Sequence, residues 1–234
     1  MPRAPRPVSA SAVPRRPCAA WALLPAALLI LAATGAAEEI DCPKGTTAQG
    51  AAPPRGQRLW CAGADGVQQG PSLVWHGADQ LAARATFRDG RLHGRYEAWY
   101  RDGTRKEQGV YRDDRREGLY TTFHPNGRKA SEEEYRAGVL HGRQEVWFPN
   151  GGRFAISEYR DGKRDGPAAT WYENGQKQTE GRFVAGVYHG RWIGWWEDGS
   201  LKKEAEFDHG KELSRTFHER AGAAPSGTGS QGER

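Results

Sequence analysis

The sequence has few of the residue types that fill helical cores. It contains a single methionine, against 31 glycines and nine tryptophans in 234 residues. Glycine marks turns, and aromatic side chains favour strands. This composition therefore argues against a helical bundle and favours a β protein.

The chain has one long apolar run, and it lies near the N-terminus. Four arginines precede the run AWALLPAALLILAA, and the small residues TGAA follow it. This order of regions is that of a secretory signal peptide, so we predict that residues 1–37 are a signal cleaved after about Ala37. The alternative is an uncleaved membrane anchor, although the run is shorter than the ~20 residues that a spanning helix needs.

Little excess positive charge remains outside the predicted signal. Residues 1–37 carry four arginines and no acidic residue, so the formal net charge falls from +5 for the whole chain to +1 without them. Nucleic-acid binding depends on lysine and arginine side chains that face phosphates. We therefore expect no nucleic-acid partner.

Cysteine is also scarce, and Cys18 lies within the predicted signal, which leaves Cys42 and Cys61. An even pair in an exported chain predicts a disulfide bond. The alternative is a bacterial lipoprotein with its lipid on Cys42, but the sequence EEIDC places charged residues where such a signal has small and apolar ones. We interpret residues 38–69 as a disulfide-stapled N-terminal cap.

A glycine recurs every 24 residues and divides residues 70–213 into six units without insertion or deletion. The leading glycines are Gly70, Gly94, Gly118, Gly142, Gly166 and Gly190. Such regular spacing is typical of stacked copies of one structural unit.

Three aromatic-rich columns keep the same period. The first column, which we call the tryptophan column, consists of Trp75, Trp99, Phe123, Trp147, Trp171 and Trp195. The position directly after it holds His76, Tyr100, His124, Phe148, Tyr172 and Trp196. A terminal aromatic column consists of Phe87, Tyr111, Tyr135, Tyr159, Phe183 and Phe207. Aromatic residues in these positions suit a half-buried strand surface.

Turn signals separate the columns. Between the tryptophan column and the terminal column, five units contain Asp-Gly or Asn-Gly, which predicts a type I′ turn with positive φ at both residues. A second, looser turn closes each unit. Asp79 and Asp114 replace turn glycines in the first and second units, so the local geometry there is open. The fold class is therefore predicted to be all-β: an elongated antiparallel meander of six hairpins, about twelve strands, in a single-layer sheet.

The length of the Asp-Gly turn decides which columns share a face. With two residues in the turn, the tryptophan column lies on one face, and the terminal column lies on the other together with the position after tryptophan. A three-residue turn would shift this parity, and both arrangements stay open.

The repeated pattern, a glycine followed by Trp-Tyr, an aromatic residue and then G-x-x-H-G, resembles the MORN repeat, and in particular its variant in the bacterial proteins called YwqK-type antitoxins. The resemblance covers about residues 66–213. It implies β-hairpin repeats that serve as a binding or membrane-associated module and not as a catalyst. Residues 214–234 are poor in apolar side chains, which predicts a disordered tail.

Neither a catalytic motif nor a metal site is indicated. The serines lack a nucleophile motif, and the glycines recur as turns without opening a helix. His93, His141 and His189 are 48 residues apart, which corresponds to about 19 Å in a stacked sheet, so one ion cannot bind all three. We expect no enzyme activity, no cofactor and no metal.

The aromatic columns are the candidate binding surface. We expect the tryptophan column mainly to pack between units, although a single-layer sheet leaves some aromatic side chains accessible. The candidate residues are Trp75, Trp99, Tyr100, Trp147, Trp171, Tyr172, Trp195 and Trp196. The leading hypothesis is a secreted or periplasmic scaffold that binds a protein partner. The alternatives are an antitoxin or immunity protein that occludes a toxin, and an envelope binder of lipid or glycan, with contact to the membrane surface.

Overall fold

The computed structural model describes residues 40–220, which form one antiparallel sheet of 15 strands arranged in chain order. The predicted all-β meander is confirmed. The predicted signal peptide, with Cys18, and residues 221–234 lie outside the described residues. Within residues 40–220, no helix is long and apolar enough to cross a membrane.

The strands follow the 24-residue period. The cap contributes β1 (Thr47–Ala51) and β2 (Arg58–Ala62). The first three units contribute β3 (Gln68–Trp75), β4 (Leu81–Arg88), β5 (Arg91–Trp99), β6 (Arg105–Arg112), β7 (Arg115–Phe123) and β8 (Lys129–Arg136). The last three contribute β9 (Val139–Trp147), β10 (Arg153–Arg160), β11 (Lys163–Trp171), β12 (Lys177–Val184), β13 (Val187–Trp195) and β14 (Leu201–Asp208). The final strand is β15 (Lys211–Phe217).

The strand β15 corrects the predicted start of the tail. The composition predicts a tail that begins at residue 214, but β15 continues to Phe217, which pairs with Lys203 of β14. The segment is polar and alternates only weakly between polar and apolar residues, so its sequence does not indicate a strand. It forms one because it pairs with β14.

The two kinds of turn are the reverse of the prediction. In the Asp-Gly turn after Trp99, only Gly103 has positive φ, and its amide donates to the Tyr100 carbonyl at 3.0 Å. This is a three-residue turn ending in a left-handed glycine. The supposedly looser turns are the tight type I′ turns, since both residues have positive φ, as at Asp89 (50°) and Gly90 (75°).

The aspartate or asparagine of the three-residue turn has a different role from the one that the sequence suggested. The Asp102 carboxylate accepts a hydrogen bond from the Thr104 amide at 2.9 Å, and Asn126 holds the Arg128 amide in the same way at 3.1 Å. These residues are favoured because their side chains close the turn, and not because they tolerate positive φ. At Asp114 the type I′ geometry persists, with φ of 66° in place of a glycine.

A β-bulge offsets the extra turn residue. Ala98 pairs with Glu107 while Trp99 pairs with Arg105, so Lys106 is the additional residue of the bulge. The parity shift of a three-residue turn is thereby cancelled. As a result, the tryptophan column lies on one face, the tryptophan face, and the terminal aromatic column lies on the other, the tyrosine face.

The leading glycines mark a second irregularity in each unit. Around Gly142, three residues of β9 oppose one residue of β8, because Glu133 pairs with Gln144 and Tyr135 with Leu140. Gly142 has φ of 112°, and a Cβ atom there would lie 2.1 Å from a Glu134 carboxylate oxygen. Glycine is therefore required by the backbone at this position.

The cap extends the sheet by β1 and β2 and is held to the first unit by a buried cluster and a disulfide. Leu59, Leu73 and Trp75 are buried together, and Ile40 and Leu81 pack against them. The predicted disulfide is confirmed: Cys42 and Cys61 are bonded, and Cys61 has no exposed surface. Such a bond is typical of an oxidising environment.

Removal of the disulfide is expected to destabilise the cap. The Cys42→Ser/Cys61→Ser double variant should lose about 3 kcal/mol of unfolding free energy, because the bond closes a loop of about 20 residues. Urea denaturation measures the loss, and reduction of the wild type is the control that should reproduce it. Free thiols in the native chain by non-reducing mass spectrometry, or a variant as stable as wild type, would contradict the stapled-cap interpretation.

Candidate functional site

The tryptophan column differs in burial along the sheet. Trp75 is 5% exposed and belongs to the cluster beneath the cap, whereas Trp99, Trp147, Trp171 and Trp195 are half-buried. The expectation of packing therefore holds in full for Trp75 alone among the five tryptophans. The other four contribute ring surface to the tryptophan face.

Basic side chains alternate with the later tryptophans and form a ladder that runs from the third unit to the sixth. Lys129 lies over the Trp147 ring at 5.8 Å, Arg153 over Trp171 at 5.3 Å, and Lys177 over Trp195 at 5.6 Å. Each cation belongs to the unit before its tryptophan. Such cation–π contacts contribute about 0.5–1 kcal/mol each at exposed sites. The ladder of Lys129, Trp147, Arg153, Trp171, Lys177 and Trp195 therefore ties successive hairpins together across the tryptophan face.

Carboxylates on the same face neutralise the ladder cations. Glu132 pairs with Lys129 at 2.6 Å, and Glu180 pairs with Lys177 at 2.5 Å. Glu145 lies 3.6 Å from Arg153. Because each ladder cation has both a ring and a carboxylate beside it, the face presents mixed polarity instead of one strong field.

Beside the ladder, the tryptophan face contains a groove of about 410 Å³. Its floor is one cross-strand row in which Ile156 and Ala169 are neighbours and Glu180 separates Ala169 from Ile193. Arg143, Glu158 and Arg191 line the groove beside this row. Apolar side chains with charged groups next to them are common in protein-binding surfaces.

The column after tryptophan lies along the hairpin edge and links neighbouring units. The Tyr100 hydroxyl donates to the Phe123 carbonyl at 2.9 Å, and the Tyr172 hydroxyl donates to the Trp195 carbonyl at 2.9 Å. Trp196 instead lies beneath the Lys202 ammonium at 4.1 Å. Tyr100 and Tyr172 therefore cross-link successive turns, which gives these two candidate site residues a structural role.

The tyrosine face contains an aromatic network centred on Tyr120, which belongs to none of the three aromatic columns. The Tyr120 ring lies edge-on to Tyr111 and Tyr135, with centroids 6.1 and 6.2 Å away. The Arg116 guanidinium lies 3.8 Å from the Tyr120 centroid, and the Tyr120 hydroxyl donates to Glu107 at 2.7 Å. Tyr120 is 1% exposed. A sequence signal for it exists, because Gly109 stands where four of the other five units have larger residues, and the Tyr120 ring covers it. The exception is Gly181, which the Trp192 ring covers in the same way.

Burial and charge perturb the titration of this network. Burial and hydrogen bonding with Tyr111 and Glu107 raise the pKa of Tyr120 well above its usual value. Although burial opposes its charge, the hydroxyls of Tyr111 and Tyr135 raise the pKa of Arg116. Tyr120 is therefore neutral and the Arg116 guanidinium is charged at neutral pH, so the guanidinium donates charge-assisted hydrogen bonds to the network. Within the described residues, the network is a packing feature.

The histidines of the three leading His-Gly pairs are separated in the sheet. His93 is in β5, His141 in β9 and His189 in β13, four strands apart in each step. The imidazoles of His93 and His141 each meet an aspartate of the next type I′ turn, Asp113 at 3.1 Å and Asp161 at 3.2 Å.

Two hairpins of this sheet match a known repeat family. The family model described as MORN repeat variant matches residues 116–137 and 188–209. The matched segments cover β7–β8 and β13–β14 and lie three 24-residue periods apart. The match supports the MORN-repeat family for this chain, with the intervening units in the same register. No curated protein matches the chain.

Proposed function

We infer that this chain is a non-catalytic MORN-type scaffold that binds a protein partner on its tryptophan face. The observation that carries the proposal is the groove floored by Ile156, Ala169 and Ile193 beside the ladder. Apolar side chains with charged groups next to them favour burial of an apolar side chain of the partner, with polar groups around it.

Lipid and glycan ligands fit this face less well than a protein does. Sugars stack on open aromatic rings, but Trp147, Trp171 and Trp195 each have a cation over the ring. An anionic membrane surface attracts uncompensated basic residues. Here Glu132 and Glu180 pair with ladder lysines, which lowers the net positive field.

The proposal places the protein outside the cytoplasm. The support is the Cys42–Cys61 disulfide, which persists in oxidising compartments, together with the signal-like residues 1–37. An antitoxin or immunity role is the special case in which the bound partner is a toxin. Identification of the captured partner decides between this case and a general scaffold.

Charge reversal on the two faces tests the binding surface. Arg143→Glu/Arg191→Glu changes the rim of the groove, and Arg164→Glu changes an exposed arginine of the tyrosine face, over Phe183. Each variant and wild type are used to capture partners from an envelope extract of the source cells, and the affinity of the recovered partner is then measured. We expect the double variant to lose at least tenfold in affinity while Arg164→Glu stays within about twofold of wild type.

Thermal denaturation serves as the control that all variants remain folded. A partner that binds the groove variant and wild type equally would place the interface elsewhere. Binding to vesicles or cell-wall glycan, with no protein enriched over a resin control, would overturn the scaffold proposal in favour of an envelope binder.

A further inference from the structure

Two imidazoles and a carboxylate converge at the last type I′ turn of the sheet. The ligand atoms of His189, Asp208 and His209 all lie within 4.8 Å of one another. Nδ1 of His209 is 2.6 Å from the Asp208 carboxylate, and Nδ1 of His189 is 3.9 Å from the same oxygen. The imidazole rings are 5.1 Å apart. Because His189 belongs to β13, while Asp208 ends β14 and His209 follows it in the β14–β15 turn, only pairing in the sheet brings His189 to the other two.

Nδ1 of His189 is buried and has no hydrogen-bond partner among residues 40–220. The equivalent atoms of His93 and His141 each bond to an aspartate. In the sixth unit, His209 replaces that aspartate, and its imidazole bonds to Asp208. A buried polar atom without a partner is costly unless a ligand satisfies it.

The sixth unit also differs in its charges. The residue before this turn is arginine in the first four units, Val184 in the fifth and Asp208 in the sixth. At the His93 site, Arg88 lies 3.0 Å from Asp113, the carboxylate that also meets His93. The equivalent of Arg88 at the His189 site, four units later, is Val184, so that position supplies no guanidinium to repel a cation or to occupy the carboxylate. The sixth unit has a carboxylate in place of the guanidinium and a second imidazole in the turn, so the sign of the local charge favours a cation.

We propose that His189, Asp208 and His209 bind one zinc ion. Imidazole nitrogen and carboxylate oxygen are ligands that zinc accepts, at 2.0–2.2 Å, and three protein ligands leave the fourth position for water. Ligand atoms around a tetrahedral zinc are roughly 3.3 Å apart. The exposed side chains of Asp208 and His209 reach that spacing by rotation, while His189 stays anchored in β13.

Bound zinc would join β13 to the β14–β15 turn, which lies at the last edge of the described sheet. A ligand that binds the folded state and not the unfolded state stabilises the fold. Zinc is therefore expected to raise the melting temperature of the C-terminal unit in addition to occupying the site.

Zinc titration of the tag-free chain by isothermal calorimetry tests the site. We expect one zinc ion in the strongest site. We expect His189→Ala and His209→Ala each to raise the dissociation constant for zinc at least tenfold. Alanine already occupies the position of His209 in two other units, as Ala137 and Ala185, so His209→Ala preserves the turn.

His141→Ala is the matched control, because His141 is the equivalent residue two units earlier and faces a single aspartate. It should leave the zinc affinity within about twofold of wild type. Cobalt(II) gives an independent readout, since a tetrahedral site with imidazole ligands produces visible absorption that His209→Ala should abolish. The proposal is wrong if the chain binds no zinc, or if His141→Ala weakens binding as much as His189→Ala and His209→Ala do.

Discussion

Replacement of Tyr120 by alanine is expected to lower the free energy of unfolding by about 3–5 kcal/mol, the range for loss of a large buried ring. Tyr120 is 1% exposed and contacts Tyr111, Tyr135 and the Arg116 guanidinium. Its ring also covers the backbone at Gly109, so the variant opens a cavity between two units. Urea denaturation followed by circular dichroism measures the loss.

Two tyrosine-to-phenylalanine variants separate the ring from its hydroxyl. Tyr120→Phe keeps the ring and removes the hydrogen bond to Glu107, so we expect a smaller loss of about 2 kcal/mol. Tyr188→Phe changes a tyrosine that is 45% exposed on the same face, and its effect should stay within about 0.5 kcal/mol. If Tyr120→Ala were within 1 kcal/mol of wild type, the network would not contribute to holding the units together.

Two substitutions in the tryptophan column are expected to differ in cost. Trp75→Ala should lose about 3–5 kcal/mol, because Trp75 is 5% exposed and packs with Leu59 and Leu73. Trp147→Ala should lose only about 1–2 kcal/mol, since its ring is half-buried and the Lys129 ammonium lies over it at 5.8 Å. Thermal and urea denaturation of the two variants beside wild type measure the difference.

Lys129→Gln provides the matched control for Trp147, because it removes the cation and keeps a side chain of similar length. Lys129→Gln should lower the free energy of unfolding by at most about 1 kcal/mol, which is the part of the Trp147→Ala loss that the cation–π contact explains. Equal losses for Trp75→Ala and Trp147→Ala would mean that the middle of the tryptophan face is interior, and the groove beside it would then be covered in the folded protein.

The sheet compensates for the lack of a second layer within residues 40–220 through contacts between neighbouring turns. At one edge, side chains such as Tyr100 and His124 bond to carbonyls of the next unit at 2.9 Å. At the other edge, turn amides bond to the preceding unit, as Gly162 does to Leu140 at 2.9 Å. Each unit is therefore stabilised by its neighbours, as in other repeat proteins.

The repeat period predicted the architecture correctly because the backbone constraints recur locally. A leading glycine such as Gly142 is required where the β-bulge needs positive φ. All six leading glycines have positive φ, so the same requirement recurs in every unit. The pair of Cys42 and Cys61 was predictable for a similar reason, since no other cysteine lies outside the predicted signal. The turn types were predicted the wrong way round, because Asp-Gly serves both a type I′ turn and a three-residue turn.

The sequence by itself determined the hairpin unit, its length and the number of strands between residues 70 and 213, since these follow from glycine and aromatic spacing along the chain. Only the tertiary structure decided which columns share a face, because the bulge residue Lys106 cancels the parity of the turn. It also decided the burial of Tyr120 and the meeting of His189 with His209. Those contacts join residues on different strands, and their distances depend on register, which sequence spacing alone does not specify.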